Sequence, residues 1–214
     1  MKYFTKSFET ENLIIKPSTM EEQKELWEIL RQPVVNRYYF PTPNRIFEKY
    51  NLSTDNIDDL IKAREIFQEQ LNDWDRQEKY LRKKVDGIIN KDNSQLFTWS
   101  IFLKDGTVLG QMTVQPKDDC RDETRDVGWF IDPDYQRRGY GYETAYTILD
   151  FMFNEVGIEE IITSAAFVNP GSWRIMEKLG FERTGIHKGT YFDENNKILD
   201  NYDYYVNKKM ILKK

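Results

Sequence analysis

Apolar residues recur at helical spacing through much of the first ninety positions and at strand spacing from residue 96 onward. Before the helical part, Asn12-Leu13-Ile14-Ile15-Lys16-Pro17 predicts a short strand stopped by proline. Thr19-Met20-Glu21-Glu22 then forms a capping box. The helix it opens carries Leu26, Trp27, Ile29 and Leu30 and ends before Pro33. Residues 36–50 are aromatic, contain Pro41 and Pro43, and predict an irregular loop. Thr54-Asp55-Asn56 starts the next helical stretch. There Leu60, Ile61, Ile66, Phe67, Leu71, Trp74 and Leu81 recur among many charges to about residue 85. Residues 44–90 therefore predict a helical excursion with one apolar stripe and a solvated outer face.

The strand-like part begins with Leu96 to Leu103, turns at Lys104-Asp105-Gly106-Thr107, and returns through Val108 to Val114. A third strand is predicted at Asp126-Val127-Gly128-Trp129-Phe130-Ile131. A helix follows from about Tyr140 to Val156, with Tyr142, Ala145, Tyr146, Leu149, Met152, Phe153 and Val156 along one face. Next come a strand at 160–167 and a short helix from Pro170 to Leu179 stopped by Gly180. Two last strands, near 181–192 and 198–211, are joined through the turn formers Asp193 to Lys197. This order predicts a mixed α/β (α+β) sandwich around one sheet, within a single domain spanning 1–214.

Composition narrows the function classes. A net charge of −5 and a pI near 5.2 argue against nucleic acid held through phosphates and are compatible with a cationic amine. No run approaches the roughly 18 apolar residues of a membrane span, and Met1 to Lys6 lacks the apolar region of a signal peptide, so no membrane association is expected. The single cysteine, Cys120, has no partner for a disulfide or a zinc site, which suits a reducing cytoplasm. His187 is the only histidine and, between Gly185 and Gly189, reads as a structural or surface residue; no Cys/His cluster suggests a metal.

The candidate chemistry lies in Asp132-Pro133-Asp134-Tyr135-Gln136-Arg137-Arg138-Gly139-Tyr140-Gly141-Tyr142-Glu143, which joins a strand directly to a helix. Such a junction aims unpartnered N–H groups and the positive end of a helix dipole at one spot, suited to phosphate. Gly139 and Gly141 let the backbone turn and approach a ligand, and Arg137 and Arg138 add charge. A dinucleotide site would need a third glycine where Thr144 stands, and the P-loop pattern is absent.

Gln136 to Gly141 matches the Q/R-x-x-G-x-G/A signature of the GNAT superfamily of N-acetyltransferases. Asn169-Pro170-Gly171-Ser172 followed by Glu177-Lys178-Leu179-Gly180-Phe181 resembles that superfamily's second motif, in the form of the Rim-type branch of ribosomal-protein alanine and spermidine acetyltransferases. The resemblance covers roughly residues 10–35 and 95–210. It implies a GNAT-like, mostly antiparallel sheet flanked by helices, acetyl-CoA as cofactor, an amine acceptor and a homodimer. It further implies that the amides from Arg137 to Tyr142 hold the pyrophosphate. The strand through Trp129, Phe130 and Ile131 would pair with the pantetheine arm, with an amide near Trp129 or Phe130 polarising the thioester carbonyl, and Asn169 would bond the arm. Glu143 is either the family's common acidic residue or a favourable first-turn carboxylate. Asp126 is the candidate base or amine anchor, its alternative being a salt bridge to Arg125 or Arg121. The position of the usual tyrosine acid holds Met176, which cannot donate a proton, so Ser172 becomes the replacement, its alternative being helix capping; Tyr202, Tyr204 and Tyr205 are further donors. Met176 also keeps open a non-catalytic acyl-CoA-binding sensor.

Overall fold

The computed structural model describes residues 6–38, 44–53, 55–89, 96–117, 120, 121, 123–192 and 198–211. Pro41, Pro43, Thr54, Asn90 and the turn at 193–197, all named above, lie outside these residues.

The chain opens with two short strands, β1 (Phe8–Glu9) and β2 (Leu13–Pro17), followed by helices α1 (Gln23–Leu30) and α2 (Pro33–Asn36). The excursion contributes α3 (Asn44–Tyr50), α4 (Ile57–Asn72) and α5 (Trp74–Ile89). Strands β3 (Phe97–Leu103), β4 (Val108–Pro116) and β5 (Thr124–Ile131) lead to α6 (Tyr140–Phe151), which a π-helical turn extends to Val156. The remainder is β6 (Glu160–Ala166), α7 (Pro170–Lys178), β7 (Glu182–Phe192), β8 (Ile198–Asn207) and α8 (Lys208–Ile211).

The strands form one sheet in the order β1-β2-β3-β4-β5-β6-β8-β7, antiparallel throughout except for β5 and β6. Strand alternation sends Ile15, Trp99, Ile101, Met112, Val127, Ile131, Ile161, Tyr204 and Val206 to one face, where they pack with Ala145, Ile148, Leu149 and Met152 of α6 and its extension. Burying each large aliphatic side chain there contributes about 1.5–3 kcal/mol. The opposite face of β4 and β5 is covered by α1: Leu26 and Ile29 meet Val108 and Phe130.

Several expectations shift. Residues 44–50, where the loop and excursion readings overlap, form α3; α1 ends before Pro33 as expected, and Pro33 then opens α2, where a missing N–H costs nothing. β1 and α8 were too short to carry a period. The helical stretch that starts after Asn56 breaks at Asp73 into α4 and α5. On α6, Ile148 and Phe151 are buried while Tyr146 is about half exposed, so its apolar stripe is rotated from the predicted one.

One predicted terminus forms and the other shifts. Glu22 accepts from the Thr19 N–H at 2.7 Å and the Thr19 hydroxyl at 2.6 Å, but Glu22 itself is the N-cap and makes no side-chain capping bond, so the box precedes the helix instead of opening it. At the end of α7, Phe181 N–H bonds Met176 O and Gly180 N–H bonds Glu177 O, the paired bonds of a Schellman ending.

Candidate active site

The phosphate-binding candidate starts where β5 stops. Pro133–Tyr135 forms one 3-10 turn, capped by the Asp132 carboxylate accepting from Asp134 N–H. The Gln136 side chain donates to Ile131 O at 2.9 Å. Arg137 then adopts φ +64° and Gly139 φ +92°, immediately before α6. Left-handed residues alternating with ordinary ones turn successive N–H groups toward one side, a concavity suited to anions. The first intrahelical bond into α6 runs from Glu143 N–H to Gly139 O, so the N–H groups of Tyr140, Gly141 and Tyr142 have no partner within the helix.

The two glycines answer different demands. Gly139 has open space around it and is required for its φ. Gly141 is required for room: a Cβ would stand 3.0 Å from Ile175 Cδ1 and 3.9 Å from Trp129 Nε1. The start of α6, the middle of α7 and the end of β5 therefore converge at Gly141. Arg138 does not project freely, because its Nη2 donates to Asp134 O at 2.9 Å and its guanidinium lies 5.2 Å above the Tyr135 ring.

Glu143 lines a surface cleft with Arg138 and Gly139, but its carboxylate is already committed. Its carboxylate accepts from the Asn12 N–H and Asn12 Nδ2, each at 3.0 Å, and so ties the start of β2 to α6. Burial pushes its pKa up, but hydrogen bonds from Thr10 and from Asn12 and the charge of Lys104 outweigh that and hold it below the ordinary glutamate value.

Beside the concavity the sheet divides. β5 and β6 pair only at Thr124 with Glu160 and Arg125 with Ile161, although both strands continue. Where the next pair would form, the Thr163 hydroxyl donates to Val127 O at 3.1 Å in place of a backbone N–H. Asp132 N–H bonds Leu109 O on β4, so by ladder alternation the amides of 128 and 130 turn toward β4 and those of 127, 129 and 131 toward the division. The Phe130 carbonyl, 2.0 Å from where a Gly110 Cβ would stand, confirms that direction. Of the two amides considered for a thioester, Trp129 thus faces the slot and Phe130 faces β4. The Ile131 carbonyl is taken by Gln136, as above.

Asp126 is half-buried at the narrow end of this slot, where its Oδ1 accepts from Val127 N–H at 2.9 Å. Arg121, one of its suggested salt-bridge partners, instead pairs with Glu160 at 2.9 Å. Asn169 and Ser172 stand at the wide end, on the first turn of α7. Asn169 is the N-cap residue but its side chain makes no capping bond, and Ser172 lies inside the helix rather than capping it. Met176 is buried. Tyr204 is fully buried, its hydroxyl donating to Glu177 Oε1 at 2.9 Å and accepting from Arg183 Nε at 3.3 Å; burial above all pushes its pKa up to about 12. Tyr202 is wedged among Phe167, Trp173 and Tyr204.

Sequence reasoning missed two residues here. Thr163 seals the start of the slot. Tyr38, in an aromatic run that sequence alone could not orient, donates from its hydroxyl to Val168 O at 3.1 Å and so brings the end of the α1–α2 arm across to the loop before Asn169. Among the described residues no three His, Cys, Asp or Glu side chains are grouped to hold a metal, and no helix is long and apolar enough to cross a membrane.

A strand pair opening into a slot, with an amide-lined concavity at its end, has a shape suited to an elongated ligand that carries phosphate. Residues 12–182 match the model of the acetyltransferase (GNAT) domain, and the chain belongs to that family. It is 34% identical over 85 residues to the uncharacterized N-acetyltransferase YnaD of Bacillus subtilis, a match covering 40% of this chain and about half (49%) of that relative. Two solved structures share the fold. Spermidine N-acetyltransferase from Vibrio cholerae, in complex with CoA and spermine, has a TM-score of 0.70 at 14% identity, covering 95% of this chain and 99% of that one. Ribosomal-protein-S5-alanine acetyltransferase from Vibrio fischeri has a TM-score of 0.69 at 14% identity, covering 96% and 98%. These are enzymes of the branch that the motifs resemble.

Proposed function

We propose that this protein is an acetyl-CoA-dependent N-acetyltransferase acting on a primary amine: a protein N-terminus, a polyamine or a small aminated compound. The observation that carries the reading is the junction of the slot and the concavity. Amides of Arg137 to Tyr142 suit a diphosphate, and the unpaired edge of β5 at Trp129 suits an amide-bearing arm laid alongside it as a further strand. Asn169, at the wide end with its side chain uncommitted to capping, would hold the same arm.

Acetyl-CoA supplies the activated acyl group as a thioester. The Trp129 N–H, aimed into the slot, would donate to the thioester oxygen as negative charge develops there. The acceptor must be a neutral amine to attack; an unperturbed lysine titrates near ~10.4 and an α-amine near ~7.7–8.0. Asp126, at the narrow end of the slot, would anchor the amine or draw off its proton, and Ser172 would supply a proton to the departing sulfur.

Thiol release from acetyl-CoA, followed across a panel of amines, tests the proposal. At least one amine is expected to raise the release well above the rate of hydrolysis. Tight CoA binding with no amine-dependent release would favour instead a sensor that keeps the cradle and, with Met176, has lost the proton donor.

A further inference from the structure

The mechanism above leaves the only histidine unused, yet the fold builds a small polar site around it. Strand register puts His187 beside Asn201, Gly185 beside Asp203, Ser164 beside Asp203 and Ala166 beside Asn201. Register partners share a sheet face. Ile161 and Ala165 point into the α6 core, so Ser164, Ala166, Asn201, Asp203 and His187 lie on the other face, the one that also carries Asp126, Gly128 and Phe130. Over β5 that face is covered by α1. Beyond the slot Ser164 and His187 are exposed, and the small side chains of Ser164 and Ala166 floor the way between His187 and the slot.

Two groups hold the imidazole, and a third seats one of them. Nδ1 lies 2.7 Å from Asp203 Oδ1. The Asp203 carboxylate is seated against Gly185, where a Cβ would stand 3.2 Å from Oδ2. Nε2 lies 3.3 Å from Asn201 Nδ2. Asn201 is only 5% exposed, and its Oδ1 is buried without a hydrogen-bond partner among the described residues. An unpartnered buried amide oxygen is costly, so it needs a reason.

We propose that His187 accepts the acceptor amine's proton, and that Asn201 serves both of its charge states. With neutral imidazole, Nδ1–H donates to Asp203 and Asn201 Nδ2 donates to Nε2, leaving Oδ1 spare. Once Nε2 takes a proton, a half-turn of the Asn201 amide presents Oδ1 to the new N–H, and Asp203 balances the charge. The inference rests on the acetyl-transfer reading and assigns its proton path. The ammonium gives one proton, through water along the Ser164–Ala166 floor, to Nε2; the nitrogen lone pair forms the C–N bond as the C–S bond breaks. The second amine proton ends on sulfur, and His187 returns its own to solvent. At a sheet spacing of ~4.8 Å per strand, β7 stands two strands from β6, about 10 Å, a span for a short file of waters. Among the described side chains of β5 to β8, the titratable groups on this face are Asp203 and Tyr205 of β8, Glu160 of β6, which pairs with Arg121, Glu182 of β7 and, across the slot, Asp126.

His187→Gln retains a hydrogen-bonding side chain without a titratable one. It is expected to bind CoA as the wild type does, to lower kcat about 10²-fold at neutral pH, and to lose one ionisation from the pH profile of kcat. An unchanged rate and pH profile would overturn the assignment. A second readout is independent of turnover: as the only histidine, His187 gives one set of imidazole NMR signals. Its neutral form should carry the proton on Nδ1, and its titration should move the Asn201 side-chain amide resonances. Titration that leaves Asn201 unmoved would also overturn it. Absence of any amine-dependent activity in the wild type, with the Asn201 response intact, would instead count against the acetyl-transfer reading.

Discussion

At the scale of single residues, the candidate site depends on backbone conformation more than on charge. Gly139→Ala places an L-residue at φ +92°, which costs about 1–2 kcal/mol, and turns the concavity's amides away from one another. The expected outcome is CoA binding weakened about tenfold with a small loss of thermal stability, read by calorimetry; unchanged affinity would count against the concavity. Tyr204 makes a second, separate test. Its pKa is raised, so the stability it contributes is complete below the ordinary tyrosine value near ~10 and is lost as pH rises from there to about 12. Tyr204→Phe should flatten alkaline unfolding over that interval and cost about 0.5–1.5 kcal/mol from the lost hydrogen bond, with amine-dependent thiol release unchanged.

At the scale of elements, Glu143 is the joint between β2 and α6. A lowered carboxyl pKa means its stabilisation is present above the unfolded value near ~4.3 and is lost as pH falls through the folded one. Glu143→Gln should therefore reduce stability at pH 7 and make the remaining stability less sensitive to acid, measured as denaturation midpoints at pH 7 and pH 3. Most of these elements were legible in the sequence. The Gly106 turn, the Gly180 ending and the strands of β3 to β6 follow from local chemistry that neighbours do not override. The stripe on α6 was misjudged at Tyr146 because its ring stacks on Tyr142 at the surface, an apolar contact that does not require burial. β1 was invisible because two residues hold no period; it exists because Phe8 packs against Phe151 and pairs with Ile15.

At the scale of the whole molecule, the excursion is joined to α1 and α2 by aromatic contacts and by hydrogen bonds, among them Gln68 Nε2 to Asn36 Oδ1 at 2.9 Å. Trp27 of α1 donates its Nε1–H to Leu71 O at 2.6 Å and meets Trp74 at 5.0 Å between rings, with the Lys24 ammonium over both. α3 and α4 share a small apolar cluster of their own around Leu60 and Ala63. Trp74→Ala should loosen α4 and α5, seen as faster amide exchange there, while β3 to β6 keep their protection; equal loosening of the sheet would mean that the excursion supports the core directly. None of this was readable beforehand, because the pairing of Trp27 with Leu71 and Trp74 joins residues more than forty positions apart. The division between β5 and β6 was hidden for the same reason. The motif residues announced a phosphate cradle, but the slot beside it arises from strand geometry that sequence spacing does not encode.

The division and the concavity together are the central claim, and backbone amide NMR during titration with CoA tests them most directly. The account predicts the largest shifts at Trp129, at Arg137 to Tyr142 and at Asn169 to Ser172, with the helices α4 and α5 of the excursion unmoved. Saturable binding that leaves Trp129 and the Arg137–Tyr142 amides unperturbed would contradict it.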